Sequence, residues 1–353
     1  MIQPRDAADW ARELGISREA VELYLASEVI DLHLDTFIWQ RIFGYDPTKR
    51  HERPPLGGWF LGHADFPRVR EANLAAATWV ITTNPLREGG DRLETLLRNV
   101  ATFQATVAAM PDDLAFVRSH SEYLRARTSG RHAVFFGIQG GNALDSHPDA
   151  IARLPDGAIL RVTLLHLSSS TLGTTSSPLR LGPDEGIGAP GRALIERLNA
   201  ARILVDLAHI SVNGFWAAMD AHDPRIPVVV THTGVSGVRR HWRNLDDSQI
   251  RVVAQSGGVV GILFHAPFLG DRPWSGRSSR VVDHIEHVIR VGGEDAAAIG
   301  SDFDGFITPP RDLTSVLELP RLVEHMLVRG FTPERVQKVL GGNFLRVLRE
   351  VRP

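Results

Sequence analysis

The chain has 353 residues, of which 43% are hydrophobic and 23% are charged, a composition typical of a globular protein with a sizeable core. The 39 basic and 41 acidic residues nearly cancel, so the net charge of −2 provides no basic field for nucleic acid or an anionic membrane. The absence of cysteine excludes disulfides and thiolate metal sites. The N-terminal segment lacks the apolar core of a signal peptide, and no apolar run approaches the roughly 18 residues of a spanning helix. We therefore expect a cytoplasmic enzyme or binding protein without nucleic-acid or membrane partners.

Residues 1–27 are predicted to form helices that precede the first strand. After them come eight short apolar runs, most of them separated by helical patterns. Continuously apolar runs, rather than alternating ones, are typical of parallel strands that are covered on both faces. In chain order, the predicted strands are 28–35, 75–82, 133–139, 158–166, 203–209, 227–232, 257–264 and 296–304.

Two of the intervening segments carry clear helix patterns. Residues 281–293 place branched apolar residues on one face and end at glycine. Residues 332–343 begin with a Thr332 cap followed by Pro333, and the Gly-Gly pair at 341–342 is predicted to end that helix. By contrast, 36–66 and 167–189 are predicted to be long loops, which in a compact domain are usually functional.

Alternation of strands and helices predicts βαβ units, and eight strands predict a closed (β/α)8 TIM barrel within the α/β class. The alternative is a doubly wound open sheet, but no Gly-x-Gly-x-x-Gly motif follows the first strand. No linker or internal repeat divides the chain, so we expect a single domain over residues 1–353, with 1–27 as an N-terminal helical addition.

Polar side chains occupy the carboxyl ends of most predicted strands. This is the end of a TIM barrel at which catalytic residues lie. In chain order, these residues are His33, Asp35, Gln139, His166, His209, His232, Asp302 and Asp304.

Two pairs among them suggest a metal site. His33 and Asp35 are two residues apart, so their side chains point to the same side of the strand. His209 and His232 end adjacent strands about 4.8 Å apart, so both imidazoles can reach one ion. Histidine and carboxylate ligands without cysteine suit zinc or another divalent transition metal. The alternative for a His-x-Asp pair at a strand end is a hydrogen-bonded loop pair without any metal.

The other polar residues considered have simpler interpretations. Asp206 is out of phase with the strand-end histidine that follows it, and we expect it to anchor its strand. The remaining histidines considered fall in predicted loops or on helix faces and are expected to be solvated: His51, His63, His222, His241, His284 and His287.

The segments around these strand ends resemble the membrane (renal) dipeptidase family of zinc peptidases, in the amidohydrolase superfamily. The resemblance covers nearly the whole chain, and its most specific stretches are "IDLHLDT", "FGIQGGNAL", "ILVDLAHIS", "VVVTHTGVSGVRRHWRN" and "IGSDFDG". It implies a zinc-dependent barrel enzyme that cleaves dipeptides, and it also implies a homodimer.

The resemblance also implies residue roles. His33 and Asp35 would bind one metal ion, whereas His209 and His232 would bind a second. Asp302 would lie beside the first ion and relay a proton during hydrolysis.

Two further roles concern the substrate. His166 would polarise the scissile carbonyl and contact the substrate. Arg243, which taken alone would be interpreted as a surface-loop residue, would bind the substrate carboxylate through its bidentate guanidinium.

The chain departs from the family pattern at two places. The glutamate that bridges both metals in the family corresponds here to Gln139, in Gly-Ile-Gln-Gly. A carboxamide can offer one oxygen to a metal but no negative charge, so we expect one or two ions with partial occupancy of the second site. After His166, the family's Asn-rich stretch is replaced by "LSSSTLGTTSSPLRLG", so we leave the substrate open.

Three hypotheses follow. The first is a metal-dependent hydrolase that cleaves a small amide or dipeptide-like substrate with a free carboxylate, with Asp302 moving the proton and His166 stabilising the oxyanion. The second is an enzyme of the same fold that opens lactone or imide rings. The third is a catalytically weak or silent relative that binds a metal or a ligand.

Overall fold

The chain folds into a nearly closed barrel of eight parallel strands, which confirms the predicted fold class. The computed structural model describes residues 5–52, 55–84, 89–145, 147, 149–180 and 182–353. Parts of the predicted N-terminal helical segment (1–4) and of the two predicted loops (53–54 and 181) lie outside these residues. The barrel strands are β1 (Ile30–Leu34), β2 (Ala76–Thr82), β4 (His132–Gln139), β5 (Ile159–Thr163), β6 (Leu204–Asp206), β7 (Val229–Thr233), β8 (Val259–Ile262) and β9 (Ala297–Ile299).

The barrel closes between its first and last strands, just beyond their carboxyl ends. The amide of Asp302 donates to the carbonyl of His33 at 3.1 Å, and the amide of Asp35 donates to the carbonyl of Phe303 at 2.9 Å. These two bonds place the polar residues that follow β9 directly beside those that end β1.

One strand of the structure is missing from the prediction. β3 (Leu114–Phe116) pairs in parallel with the first residues of β4, ahead of the segment of β4 that pairs with β5. It is only three residues long, too short to produce a recognisable apolar run.

Helices fill the connections between strands, as the alternating pattern predicts. The two N-terminal helices start at Asp6 and Ser17, whose side chains accept hydrogen bonds from backbone amides of the first turn. Within the described residues the helices are α1 (Ala7–Leu14), α2 (Arg18–Leu25), α3 (Thr36–Phe43), α4 (Phe66–Glu71), α5 (Gly89–Ala108), α6 (His120–Thr128), α7 (Ala189–Ala200), α8 (Val212–Ala221), α9 (Asp247–Gln255), α10 (Ala266–Leu269), α11 (Ser279–Gly292), α12 (Pro320–Val328), α13 (Pro333–Gln337) and α14 (Asn343–Val351), with 3₁₀ turns at Pro55–Gly58, Gly141–Ala143 and Val316–Glu318.

Two local predictions are wrong. The predicted loop 36–66 begins with helix α3, because the chain turns into a helix directly after Asp35. The predicted stop at 341–342 does not end the helix: a π-helical turn (Lys338–Gly342) joins α13 to α14. A Cβ on Gly341 would lie 2.0 Å from the carbonyl oxygen of Glu28, so this glycine allows the helix to pack closely against the segment before β1.

α14 covers the amino end of the barrel. Arg346 donates to the carbonyl of Gly257, just before β8, and Arg352 donates to the carbonyl of Ile159 at 2.7 Å, at the start of β5. A buried apolar cluster that includes Phe135, Val259 and Phe344 packs this helix against the strands. The carboxyl end is left for the polar residues described next.

Candidate metal centre

His33 and Asp35 lie side by side at the end of β1. Both side chains are buried, and His33 Nε2 lies 3.1 Å from Asp35 Oδ2. The Thr82 hydroxyl, at the end of β2, donates to Asp35 Oδ1 at 2.6 Å. Burial acts to raise the pKa of Asp35, but the His33 imidazole and these hydrogen bonds hold it below the ordinary value. Asp35 is therefore an anion at neutral pH.

His209 and His232 face each other at the ends of β6 and β7. Their Nε2 atoms are 2.8 Å apart, and burial lowers the pKa of both imidazoles well below the ordinary value. Gln139, the last residue of β4, places its amide nitrogen 3.2 Å from Nε2 of His209 and 3.4 Å from Nε2 of His232. This side of the site consists of neutral groups.

Asp302 completes the cluster from the strand end of β9. It adopts a left-handed backbone conformation with φ of 61°, as does His209 with φ of 64°. Such conformations are unusual for non-glycine residues and often occur at functional sites. Burial, together with the nearby charge of Asp35, raises the pKa of Asp302 well above the ordinary value. A carboxyl group with a raised pKa is suited to exchanging protons near neutral pH.

Three potential ligands converge in one place. One side-chain atom each from His33, His232 and Asp302 lies within 4.8 Å of the other two. Asp35 extends this group on one side, and His209 on the other. Imidazole nitrogens and carboxylate oxygens at such distances match the donor set that zinc and similar divalent ions bind in proteins. The residues present therefore fit a metal ion.

His166 and Arg243 border the cluster. The His166 ring lies 4.7 Å from the His209 ring, and burial lowers the pKa of His166 to about 4. Arg243 is 5% exposed, and its guanidinium donates to the carbonyl of His232 at 2.7 Å. Burial lowers the pKa of Arg243 to about 10, so the guanidinium stays charged at neutral pH. Taken alone, the sequence suggested a surface arginine here, whereas the structure places it inside the site.

The residues predicted for the site are thus gathered at the carboxyl end of the barrel, whereas their roles as ligands and catalytic groups stay predictions: His33, Asp35, Gln139, His166, His209, His232, Arg243 and Asp302. Asp304 points elsewhere: its carboxylate accepts hydrogen bonds from the Thr36 hydroxyl at 2.5 Å and from the backbone amide of His63 at 2.9 Å. Asp206 anchors its strand as expected, because it accepts hydrogen bonds from Thr231 and from the buried Arg161.

Arg161 and His265 were not predicted from the sequence. Arg161 is 1% exposed, inside the barrel on β5, and donates to Nδ1 of His33 at 2.7 Å. A charged residue within the apolar run "AILRVTLL" could have identified it. His265 follows β8, and its Nδ1 accepts a hydrogen bond from the amide of Thr308 at 3.0 Å. Its place at the carboxyl end of a strand could have identified it too.

Four of the histidines expected to be solvated are buried instead. His63 and His284 are fully buried because their ring nitrogens have backbone partners: the amide of Asp304 donates to His63 at 2.8 Å, and the amide of Val235 donates to His284 at 2.9 Å. His222 and His287 are 6% and 5% exposed. These histidines serve the packing of loops and helices.

None of the helices in the described residues combines the length and apolar character needed to cross a membrane. The barrel is shared with solved structures of low sequence identity. The chain is 24% identical to an amidohydrolase from Pseudomonas aeruginosa, with a TM-score of 0.78 over 94% of this chain and 99% of that one. It is 18% identical to the probable dipeptidase PvdM from the same organism, with a TM-score of 0.83 over 96% and 98% of the two chains.

A third structure carries a ligand. It is a metallo peptidase from Rhodobacter sphaeroides, crystallised with a phosphinate mimic of the dipeptide L-Ala-D-Ala. The identity is 23%, with a TM-score of 0.81 over 92% of this chain and 99% of that one. The family model described as membrane dipeptidase matches residues 17–353, which is nearly the whole chain. The protein therefore belongs to the membrane dipeptidase family, peptidase family M19.

Proposed function

We propose that this metallo-dipeptidase-like hydrolase cleaves the amide bond of a small dipeptide-like substrate that carries a free carboxylate. One observation carries the proposal: in a chain of this family, buried imidazoles and carboxylates converge at the carboxyl end of the barrel. Amide hydrolysis needs an activated water, a proton carrier and a group that stabilises the developing oxyanion. The site offers candidates for each.

The proposed ligands are His33 and Asp35 for one ion, with Asp302 beside it, and His209 and His232 for a second, with Gln139 beside those two imidazoles. A divalent metal bound there, most simply zinc, would lower the pKa of a coordinated water and polarise the scissile carbonyl. The His33, Asp35 and Asp302 side carries the carboxylates, so it is the stronger of the two half-sites.

Three residues would handle the substrate. Asp302 would take the proton of the attacking water and pass it to the leaving amine, because its carboxylate lies 3.8 Å from Nε2 of His33 in the first half-site. His166 is neutral above a pH of about 4, so its imidazole can donate a hydrogen bond to the developing oxyanion. The buried cationic guanidinium of Arg243 would bind the free carboxylate of the substrate.

Gln139 supports a second candidate function, a weakly active or silent relative. A glutamate would offset the repulsion between two dications, whereas the amide of Gln139 leaves His209 and His232 without an anion beside them. A site that holds one ion and binds dipeptides without rapid turnover would fit this arrangement.

The decisive experiment is the metal-to-protein ratio of protein purified without chelators, measured together with turnover of a dipeptide panel. We expect at least one tightly bound divalent ion, and turnover that a chelator abolishes and the metal restores. A metal-loaded protein that hydrolyses no dipeptide would support the silent relative instead. Turnover that survives complete removal of metal would contradict both.

A further inference from the structure

A chain of buried polar groups runs behind the candidate metal centre. Arg161 donates to Nδ1 of His33 at 2.7 Å and to Oδ2 of Asp206 at 3.0 Å. The Thr231 hydroxyl donates to the same Asp206 oxygen at 2.7 Å and lies 3.0 Å from Nδ1 of His232. We call Arg161, Asp206 and Thr231 the buried bridge, because together they link the rear nitrogens of two candidate ligands from opposite halves of the site.

The direction of each hydrogen bond follows from the number of available protons. Thr231 has a single hydroxyl proton, which the Asp206 carboxylate takes, so the hydroxyl accepts from Nδ1–H of His232. His232 is thereby held with the lone pair of Nε2 facing the other candidate ligands. At the other end Arg161 can only donate, so Nδ1 of His33 accepts and the proton of the neutral ring lies on Nε2, facing Asp35. A metal bound at Nε2 would displace that proton to solvent, and the adjacent guanidinium would stabilise the deprotonated ring. Both rings are oriented from behind.

Holding this bridge is costly for the barrel. A buried ion pair contributes little net stability compared with an apolar pair of similar volume. Nε of Arg161 has no hydrogen-bond partner among the described residues. In addition, β4 carries a glycine opposite Arg161, because a Cβ on Gly137 would lie 2.9 Å from that Nε. A role in packing alone does not account for a charged pair with these costs.

We propose that Arg161 and Thr231 are positioning residues for His33 and His232, tied together by Asp206 so that both halves of the metal centre are oriented as one unit. The inference rests on the proposed metal centre. Partners behind metal-binding histidines typically change metal affinity 10- to 100-fold when removed. Here Arg161 and Thr231, the partners of the two candidate ligands, both donate to the carboxylate of Asp206.

The structure supplies a matched pair of variants. Thr163 and Thr231 are both buried, and both donate to Oδ2 of Asp206, at 2.6 Å and 2.7 Å. Thr231 also contacts a candidate ligand, whereas the other contact of Thr163 is with Arg161. Thr231→Val and Thr163→Val therefore remove similar buried hydrogen bonds, but only the first frees an imidazole.

The test is the zinc affinity of the full chain, measured by competition with a chromophoric chelator, together with the visible spectrum of the cobalt-substituted protein and the melting temperature without metal. We expect Thr231→Val to weaken zinc binding about 10- to 100-fold and to alter the cobalt spectrum. Thr163→Val should weaken zinc binding less than about threefold. It should lower the metal-free melting temperature by about as much as Thr231→Val does, because both variants lose a similar buried hydrogen bond. Thr231→Ser, which restores the hydroxyl, should restore the affinity.

Equal losses of affinity in both valine variants, or no rescue by serine, would overturn the bridge. Should Thr231→Val not fold, Arg161→Lys provides a second test. Lysine keeps the positive charge but cannot reach His33 and Asp206 together, so we expect the cobalt spectrum to change. An unchanged cobalt spectrum would count against the proposal. Failure of the proposed function is distinguishable from failure of the bridge, because the function is tested by dipeptide turnover of the wild type and the bridge by zinc affinity of the variants. A wild type without zinc affinity would overturn both.

Discussion

The two ends of strand β4 show two uses of a buried polar side chain. At the amino end, His132 accepts a hydrogen bond from the indole of Trp79 at 3.1 Å and donates to the carbonyl of Leu74 at 2.7 Å. At the carboxyl end, Gln139 faces the imidazoles of His209 and His232, whose partners at Nε2 are each other and the Gln139 amide.

Burial lowers the pKa of the histidines at both ends, so the pKa does not tell the two environments apart. The partners do. His132 has a protein partner on each ring nitrogen and needs no ligand, whereas the nitrogens at the carboxyl end converge on one another and on carboxylates. Imidazole nitrogens and a carboxylate oxygen that face one another around one point form a donor set for a cation, and this separates a structural histidine from a candidate metal ligand.

At the carboxyl end of the barrel, the variant with the largest expected effect is Asp302→Asn. The amide keeps the shape of the side chain but cannot carry the proton, so kcat/KM for a dipeptide should fall about 10²- to 10⁴-fold. Metal content must be measured in parallel, because Asp302 is also a candidate ligand. A loss of less than tenfold in a fully metal-loaded variant would remove Asp302 from the proton path.

Arg243→Ala should have the next largest effect. Loss of a charge-assisted contact to the substrate carboxylate costs about 2–4 kcal/mol, or about 30- to 1,000-fold in kcat/KM. Replacing that carboxylate by an amide should impair the wild type strongly and the variant little. Arg240, an exposed arginine in the same loop, provides the control as Arg240→Ala. If the amide substrate impaired the wild type and Arg243→Ala equally, the guanidinium would have another target.

At the amino end, His132 predicts a pH dependence of stability. Burial lowers its pKa to about 3, so between this value and the unfolded pKa only the unfolded chain binds the proton, and stability falls as the pH falls. From pH 7.5 to 5, metal-free wild type should lose about 2 kcal/mol more free energy of unfolding than His132→Gln, measured by urea denaturation. Identical pH profiles would show that His132 becomes protonated in the folded state.

Gln139→Glu should have the smallest energetic effect, and it tests the difference between the two ends of β4 most directly. A carboxylate between the half-sites should raise second-site affinity at least tenfold, about 1.4 kcal/mol, and move the metal content from about one ion per chain towards two. Gln139→Leu removes the oxygen without adding charge and separates the two effects. A wild type that already binds two ions tightly, unchanged by Gln139→Glu, would mean that another anion supplies the charge.

Most of the barrel could be predicted from the sequence because buried parallel strands leave continuous apolar runs. The exceptions had physical causes. β3 is too short to leave such a run, and Gly341 serves close packing against the segment before β1 rather than a helix end. Arg243 could be placed only through family resemblance, since nothing local distinguishes it from an exposed loop arginine.

The sequence by itself determined the order of the strands along the chain and the concentration of imidazoles and carboxylates at their carboxyl ends, because apolar runs and the residues that follow them are local properties of the chain. Only the tertiary structure decided which groups stand behind the candidate ligands. Arg161, Asp206 and Thr231 come from three neighbouring strands, and Arg161 reaches His33 on β1 only because the barrel closes. Likewise, the amide of Gln139 faces His209 and His232 only because β4, β6 and β7 converge at one end. Contacts of this kind arise from distant parts of the chain, and no local pattern records them.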